Sequence, residues 1–272
     1  MEQSYFTANQ INWDERSHIH ADSEMYGLDK MRSNPDFLTG VVEFDKKYLG
    51  DLNGLDILHL QCHIGTDTLS LARLGANVTG LDQSPESIKN ARKLFADTST
   101  TGHFEIANLY DSVGALGQQY DLIYTGVGAL NWLPNITRWA ETVDALLKPG
   151  GRLYLREGHP MLYALLDTTD GTLQVGYPYF EVDEPMVFDE KITYTGDTTE
   201  VKNTRTYEWN HGLAEVIMSL INRKMKLLQF DEHDGLEWKM FPQMVLENGQ
   251  YKLPHHQRSM VPLMYSLLVE KT

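Results

Sequence analysis

Leu55-Asp56-Ile57-Leu58-His59-Leu60-Gln61-Cys62-His63-Ile64-Gly65-Thr66-Asp67 and, shortly after it, Gly75-Ala76-Asn77-Val78-Thr79-Gly80-Leu81-Asp82-Gln83-Ser84 decide how this chain is read. An apolar run enters a tight turn at Gly65, a stretch with helical spacing follows, and a second apolar run ends in Asp82. In a doubly wound sheet, an acid at the tip of the second strand is placed to accept both hydroxyls of a ribose lying over the first turn. The expected ligand therefore contains a nucleoside. A dinucleotide site needs Gly-x-Gly-x-x-Gly so that the backbone can approach a pyrophosphate. Here bulky Gln61 and His63 stand in that turn, which disfavours NAD and FAD and favours a ligand without phosphates.

Working outward, strand-like runs recur at 56–60, 77–81, 103–107, 120–125 and 152–156, separated by stretches of helical spacing. That alternation predicts a doubly wound, mostly parallel α/β sheet, completed to seven strands by 225–230 and 261–269. Thr66 is read as the cap of a helix ending near Gly75, Ser84-Pro85-Glu86 as the start of a second, and Asn135 as the cap of a third with Ile136, Trp139, Ala140, Val143, Leu146 and Leu147 on one face. A fourth helix is expected from about Gly212 to Arg223. Residues 161–210 break the rhythm and are read as an inserted β-hairpin after strand 5. Ile192 and Tyr194 lie on its outgoing arm, Thr195-Gly196-Asp197 form its turn, and Arg205, Tyr207 and Trp209 form the returning arm. This insertion serves as a lid or, through the same aromatic stripe, as the contact of a homodimer. Residues 1–50 are expected to form an arm or cap with one helix, Pro35 to Leu49, and to be irregular elsewhere.

The 272 residues suit one domain. With 23 Lys and Arg against 38 Asp and Glu, net charge −15, there is no basic cluster to neutralise a phosphate backbone, so nucleic acid is set aside. No apolar run reaches the length of a bilayer span, and the start lacks the basic and apolar regions of a secretory signal, which predicts a cytoplasmic protein. One cysteine, Cys62, allows no internal disulfide and reads as a small buried hydrophobe. The histidine pairs His18/His20 and His255/His256 lack the spacing of a hydrolytic zinc site, and no metal is expected.

On these residues the chain resembles the class I S-adenosylmethionine-dependent methyltransferases, whose first motif is a strand, an acid, then Gly-x-Gly-x-Gly. It looks most like a bacterial subgroup with Leu-His-Leu-Gln-Cys-His-x-Gly, which Leu58–Gly65 match, with Asp67 and Thr68 following. Asp82, Asn108-Leu109, Asp121 and Leu147-Lys148-Pro149-Gly150-Gly151 are further matches. His59 stands where the wider family has an acid, and Gln61 and His63 replace two glycines. The resemblance implies S-adenosylmethionine as cofactor. Gln61 and Gly65 would lie at the methionine and ribose, Asp82 at the ribose hydroxyls, Gln83, Asn108 and Leu109 at the adenine, and Thr125 and Gly126 at the sulfonium; His63, on the same loop, is a further cofactor-binding candidate. Inside a strand, His59 reads as a hydrogen-bonded core residue.

Gly126–Pro134 and Glu157-Gly158-His159-Pro160 follow strands 4 and 5, beyond the carboxyl edge where open sheets bind ligands. Trp132 reads equally as core packing or as a substrate wall. The expected reaction moves a methyl group to an oxygen, nitrogen or carbon nucleophile of a small molecule. His159 would be the base, Glu157 would orient it or the substrate, and His211 would stand in reserve; the competing reading has His159 merely packing beside Pro160 and bonding the backbone. Asn210 reads as the cap of the fourth helix or as a site residue. The alternatives are a nicotinamide-dependent oxidoreductase and a non-catalytic S-adenosylmethionine-binding module.

Overall fold

A computed structural model describes residues 2–272; Met1 of the expected arm lies outside the described residues. The amino-terminal region holds α1 (Glu2–Asp22), α2 (Leu28–Ser33) and α3 (Gly40–Leu49). The alternating core follows: β1 (Asp56–Leu60), α4 (Thr66–Arg73), β2 (Asn77–Asp82), α5 (Pro85–Asp97), β3 (His103–Ile106), α6 (Ser112–Leu116), β4 (Tyr120–Thr125), α7 (Ile136–Leu146) and β5 (Leu147–Gly158). After α8 (Pro160–Tyr163), β6 (Met186–Asp189) and β7 (Arg205–Glu208), α9 (Leu213–Ile221) leads to β8 (Met225–His233), β9 (Val245–Glu247), β10 (Gln250–Lys252) and β11 (Met264–Lys271).

Seven strands form one sheet in the order β3-β2-β1-β4-β5-β11-β8. All pairs from β3 to β5 are parallel, and β11 runs antiparallel to both neighbours. The order reverses at β1, so the crevice beyond the tips of β1 and β4 is where such a sheet takes a ligand. Alternation along β1 explains the two-sided core. Leu58 and Leu60 pack with Ile123, Trp139, Val143 and Leu220 on one face, while Ile57 packs with Val78, Ile88, Leu94 and Phe104 on the other. A third apolar cluster, including Leu162, Leu236, Phe241 and Met264, underlies the segments that follow β5 and β8. The expected caps hold at Ser84 and Asn135, whose side chains accept from Ser87 N and Arg138 N.

The second face encloses a buried polar knot. Asp45 accepts from Tyr124 Oη (2.6 Å), Tyr154 Oη (2.8 Å) and Arg156 Nε (2.6 Å), and Arg156 Nη1 reaches Glu237 at 2.6 Å. Arg156 is fully buried, so its charge depends on these carboxylates.

Several expectations are corrected. The amino-terminal arm is not irregular: α1 is a 21-residue helix. The helix expected from Pro35 begins at Gly40, where the side chain of Thr39 caps it by accepting from Val42 N. The first residue of α4 is Thr66, and its cap is Gly65 in the left-handed region. The inserted hairpin exists, but β6 and β7 form it, pairing Met186 with Glu208 and Asp189 with Arg205. Ile192, Tyr194 and the Thr195-Gly196-Asp197 turn lie in the long connection, and Trp209 lies just past the returning strand. The last strand starts at Met264, not at 261, and the small hairpin of β9 and β10 had no counterpart in the expected pattern.

Among the described residues no helix is long and apolar enough to cross a membrane, and no group of three or more His, Cys, Asp or Glu side chains could hold a metal ion.

Candidate functional site

β1 ends in a turn with an unusual backbone. Gln61 (φ 54°), His63 (φ 48°) and Gly65 (φ 79°) are all left-handed, alternating with Cys62 and Ile64. These are the three positions that glycines occupy in the resembled motif, so the turn keeps its shape although two glycines are gone. Holding a non-glycine there costs roughly 1 to 2 kcal/mol, so other contacts must offset it. Gln61 Nε2 donates to Ala129 O (2.9 Å), and His63 N donates to Asp82 Oδ2 (2.9 Å). Gly65 cannot be replaced in the same way, since a Cβ there would stand 2.7 Å from Ala91 Cβ and 3.2 Å from Ala91 Cα.

The tips of β2 and β3 continue the site. Asp82 Oδ1 accepts from Ser84 N (2.9 Å), so the acid carries two backbone bonds; burial nevertheless pushes its carboxyl up to about 6. Asn108 Nδ2 approaches Gln83 Oε1 at 3.4 Å, and Asn108 Oδ1 accepts from Tyr110 N, capping a 3-10 turn at Leu109–Asp111 whose Leu109 is buried. Thr125 pairs with Leu60 across the sheet, and Gly126 follows beside His59. The fold therefore gathers Gln61, His63, Gly65, Asp82, Gln83, Asn108, Leu109, Thr125 and Gly126 along one edge. Two buried atoms there, Gln61 Oε1 and Thr125 Oγ1, have no hydrogen-bond partner.

The cover over this edge comes largely from α1, which the sequence did not announce. Its Trp13 packs edge-on against His63 (5.0 Å), His20 (5.7 Å) and Trp132 (5.3 Å). His20 Nδ1 bonds His63 Nε2 (2.8 Å), its Nε2 meets Thr193 Oγ1 of the insertion (2.6 Å), and Tyr26 stacks on it. Burial lowers His20 to about 2 and His63 to about 3, so both are neutral, and one ring's N–H meets the other's lone pair. Asp14 accepts from Ser84 Oγ and Glu86 N, and Asn9 exchanges two bonds with the backbone of Tyr207. α1 thus bridges the second motif and the insertion. The signal for it lay in polar residues at helical spacing, Asn9, Asn12, Arg16 and His20, which a search for an apolar stripe passes over.

The residues expected to be catalytic are engaged elsewhere than foreseen. Glu157 does not orient His159. Its Oε1 accepts from Gly128 N and Gly158 N, and its Oε2 from Ala129 N and Leu130 N, all between 2.7 and 2.8 Å. It pins the loop after β4, and burial raises its pKa against those four bonds. His159 caps α8: Nδ1 accepts from Met161 N (3.0 Å), so Nε2–H is left to donate to Glu232 (3.0 Å). His211 Nε2 donates to Leu130 O and Leu133 O, and Nδ1 meets Glu181 Oε2 at 2.7 Å. Asn210 is not the cap of α9, a place taken by Gly212; its Nδ2 donates to Pro160 O and Pro178 O. Trp132 is half-buried and forms a wall against Trp13.

Sequence reasoning missed Glu208 and Asn131. Glu208 Oε2 accepts from Asn131 Nδ2 (2.9 Å), and burial pushes its carboxyl up to about 7. Its neighbour Trp209 helps to line a cavity of about 10 Å³ among Leu130, Asn131, Glu157, Tyr163 and His211. As expected for a strand histidine, His59 is buried, bonds Thr68 Oγ1 (2.8 Å) and is lowered to about 3 by burial. Cys62 is buried, and burial raises its thiol, the Asp82 carboxylate adding to the effect.

Residues 58–153 match a family model described as a methyltransferase domain. The chain is similar to the ubiquinone biosynthesis O-methyltransferases of Xanthomonas oryzae pv. oryzae strain PXO99A, 33% identical over 105 residues, and of Xanthomonas campestris pv. campestris strain B100, 31% over 104. These matches cover 39% and 38% of this chain and 44% and 43% of those proteins, so the chain spans less than half the length of the curated relatives it matches. Two solved structures share the fold. One is a putative S-adenosylmethionine-dependent methyltransferase from Listeria monocytogenes (TM-score 0.59, 19% identity, 86% of this chain and 98% of that one). The other is an S-adenosylmethionine-dependent methyltransferase from Mesorhizobium loti (TM-score 0.57, 19% identity, 85% and 98%). The architecture is the Rossmann-like methyltransferase sheet.

Proposed function

We propose that this chain is an S-adenosylmethionine-dependent methyltransferase acting on a small molecule, most consistent with an oxygen nucleophile. The observation that carries the reading is the turn at 61, 63 and 65, left-handed at all three positions, with Asp82 bonded to its centre. The bulk of Gln61 and His63 in that turn weighs against a pyrophosphate, and so against a nicotinamide oxidoreductase. The residues fit the proposed cofactor: the unpartnered Gln61 Oε1 and Thr125 Oγ1 suit its methionine ammonium, Asp82 its ribose hydroxyls, and Gln83, Asn108 and Leu109 its adenine. Bound S-adenosylmethionine supplies an electrophilic methyl group on sulfur. The names of the Xanthomonas relatives favour oxygen over nitrogen or carbon as its destination.

In this reading the chain is one domain, with residues 2–22 and the 161–210 insertion as its lid. Trp13, His20, His63 and Trp132 exclude water and fix the acceptor, as methyl transfer depends chiefly on alignment, which lowers barriers by up to ~7 to 11 kcal/mol. Glu157 and His211 hold the loop after β4 in place. For a nucleophile that loses a proton, Glu208 is the carboxyl tuned to neutral pH.

Calorimetry tests the reading. S-adenosylmethionine and S-adenosylhomocysteine bind, NAD does not, and Asp82→Ala weakens both by about ten to a hundredfold, the loss expected for charge-assisted hydrogen bonds of roughly 1.5 to 3 kcal/mol. Binding of NAD without S-adenosylmethionine refutes it.

A further inference from the structure

The small cavity beyond β4, β5 and β11 is walled by polar groups, nearly all of which are already paired. Glu157 carries four backbone bonds and faces Tyr163 Oη at 3.3 Å. His211 Nε2 is held by two carbonyls, and Asn210 Nδ2 by two more. Two atoms stand out as buried and without any partner: Asn131 Oδ1 and Trp209 Nε1. Their residues are 8% and 1% exposed, and both line the cavity.

Both side chains are held in place. Asn131 Nδ2 donates to Glu208 Oε2, so with Glu208 ionised the amide oxygen is the unpaired end. Trp209 N donates to Asn131 O at 2.8 Å, tying the two residues together, and the indole packs against Tyr5 at 5.9 Å. An unpaired acceptor and an unpaired N–H donor therefore belong to two residues that line the same small cavity. A buried polar atom left unpaired costs about 1 to 3 kcal/mol, so an occupant that bonded both atoms would relieve both costs at once.

The chemistry of the pair selects the occupant. An ammonium donates to Asn131 Oδ1 but has no lone pair for the indole N–H. A carboxylate or phosphate accepts from the indole but cannot donate, and it faces the Glu157 carboxylate. An uncharged hydroxyl does both with a single heavy atom, which suits a cavity of about 10 Å³. We propose that Asn131 and Trp209 form a subsite that binds a neutral hydroxyl group of the methyl acceptor, a water taking its place when no acceptor is bound. This assignment rests on the methyltransferase reading above and narrows it to hydroxylated acceptors.

The test uses the whole protein with 15N-labelled tryptophan, with and without S-adenosylhomocysteine, titrated with three probes of matched size: methanol, methylammonium and formate. The Trp209 indole resonance is identified by its loss in Trp209→Phe or, if that variant does not fold, by its nuclear Overhauser contact to the Tyr5 ring. Methanol is expected to shift this resonance, the two ions to leave it in place, and Asn131→Leu to abolish the methanol response. No response to methanol, meaning a structural water only, or an equal response to either ion overturns the subsite. Calorimetry with S-adenosylmethionine on the same preparation separates the two claims. A methanol response without cofactor binding removes the acceptor assignment and the methyltransferase reading, whereas cofactor binding without the response removes the subsite alone.

Discussion

Gly65→Ala is the sharpest single perturbation of the turn at the end of β1. Two costs add. The residue sits at φ 79°, where a side chain costs roughly 1 to 2 kcal/mol. The new Cβ would also lie 2.7 Å from Ala91 Cβ and 3.2 Å from Ala91 Cα, and forced overpacking of this kind costs typically about 1 to 3 kcal/mol. The expected loss is therefore about 2 to 5 kcal/mol, a large share of the roughly 5 to 15 kcal/mol that holds an ordinary domain folded. Ala91 lies in the middle of α5, so Ala91→Gly removes the nearer clash at a helix cost of about 1 kcal/mol. In a double-mutant cycle by equilibrium urea unfolding, the two changes should couple favourably by about 1 to 2 kcal/mol, leaving the dihedral cost behind. The reasoning fails if Gly65→Ala costs under about 1 kcal/mol, or if Ala91→Gly brings no recovery.

Other expectations follow from the same geometry. Asp45→Ala should lower stability by up to about 3 to 5 kcal/mol, because it leaves the buried Arg156 guanidinium with Glu237 as its remaining carboxylate and two tyrosine hydroxyls without their acceptor, while Asp45→Leu with Arg156→Met should recover part of that loss in urea unfolding. Burial holds His20, His59 and His63 at about 2, 3 and 3, so the unfolded chain binds protons that the folded one refuses, and the stability these groups give above pH ~6.5 drains away as pH falls. Asp67 and Asp82 at about 6 and Glu208 at about 7 act in the opposite sense, the folded state holding protons that the unfolded chain releases above pH ~4; urea midpoints should stay nearly level from about pH 4.5 to 6 and drop steeply below about 4. Turnover, measured against pH with an acceptor that loses a proton, should rise through an inflection near 7 that Glu208→Gln removes while S-adenosylmethionine affinity is kept.

The parallel core was legible because strand alternation and helix caps are local signals: Ser84-Pro85 and Asn135 announce helices through their own chemistry, and the apolar runs announce strands. The cofactor edge was legible for the same reason, since the topology carries Asp82 and Asn108 to adjacent strand tips whatever surrounds them. What the sequence hid depends on partners distant in the chain. Glu157 and His159 read as neighbours with complementary chemistry, yet β5 ends at Gly158 and His159 already caps α8, so each found a different partner. The hairpin was misplaced because Ile192 and Tyr194 alternate as a strand would, although Tyr194 bonds Tyr26 instead of a strand neighbour. Glu208 and Asn131 matter only because they meet, 77 residues apart.

The inner face of α1 has a thermodynamic consequence of its own. Asn9, Asn12, Arg16, Ser17 and His20 are buried there, and the helix is fastened by amide, carboxylate and imidazole bonds to Tyr207, Asn203, Ser84 and His63. Lifting it wets Phe6 and the ring faces of Trp13, Trp132 and Trp209 as well as these polar groups, yet far less surface than unfolding the sheet, so that motion carries a smaller heat capacity change and a shallower dependence on urea than global unfolding. Its backbone amides should therefore exchange with solvent deuterium through an opening less sensitive to denaturant than that of β1 and β4, which wait for the whole sheet to come apart. A cover attached in this way returns to a single register, because each amide and carboxylate has one complementary group to find. An apolar face could slide.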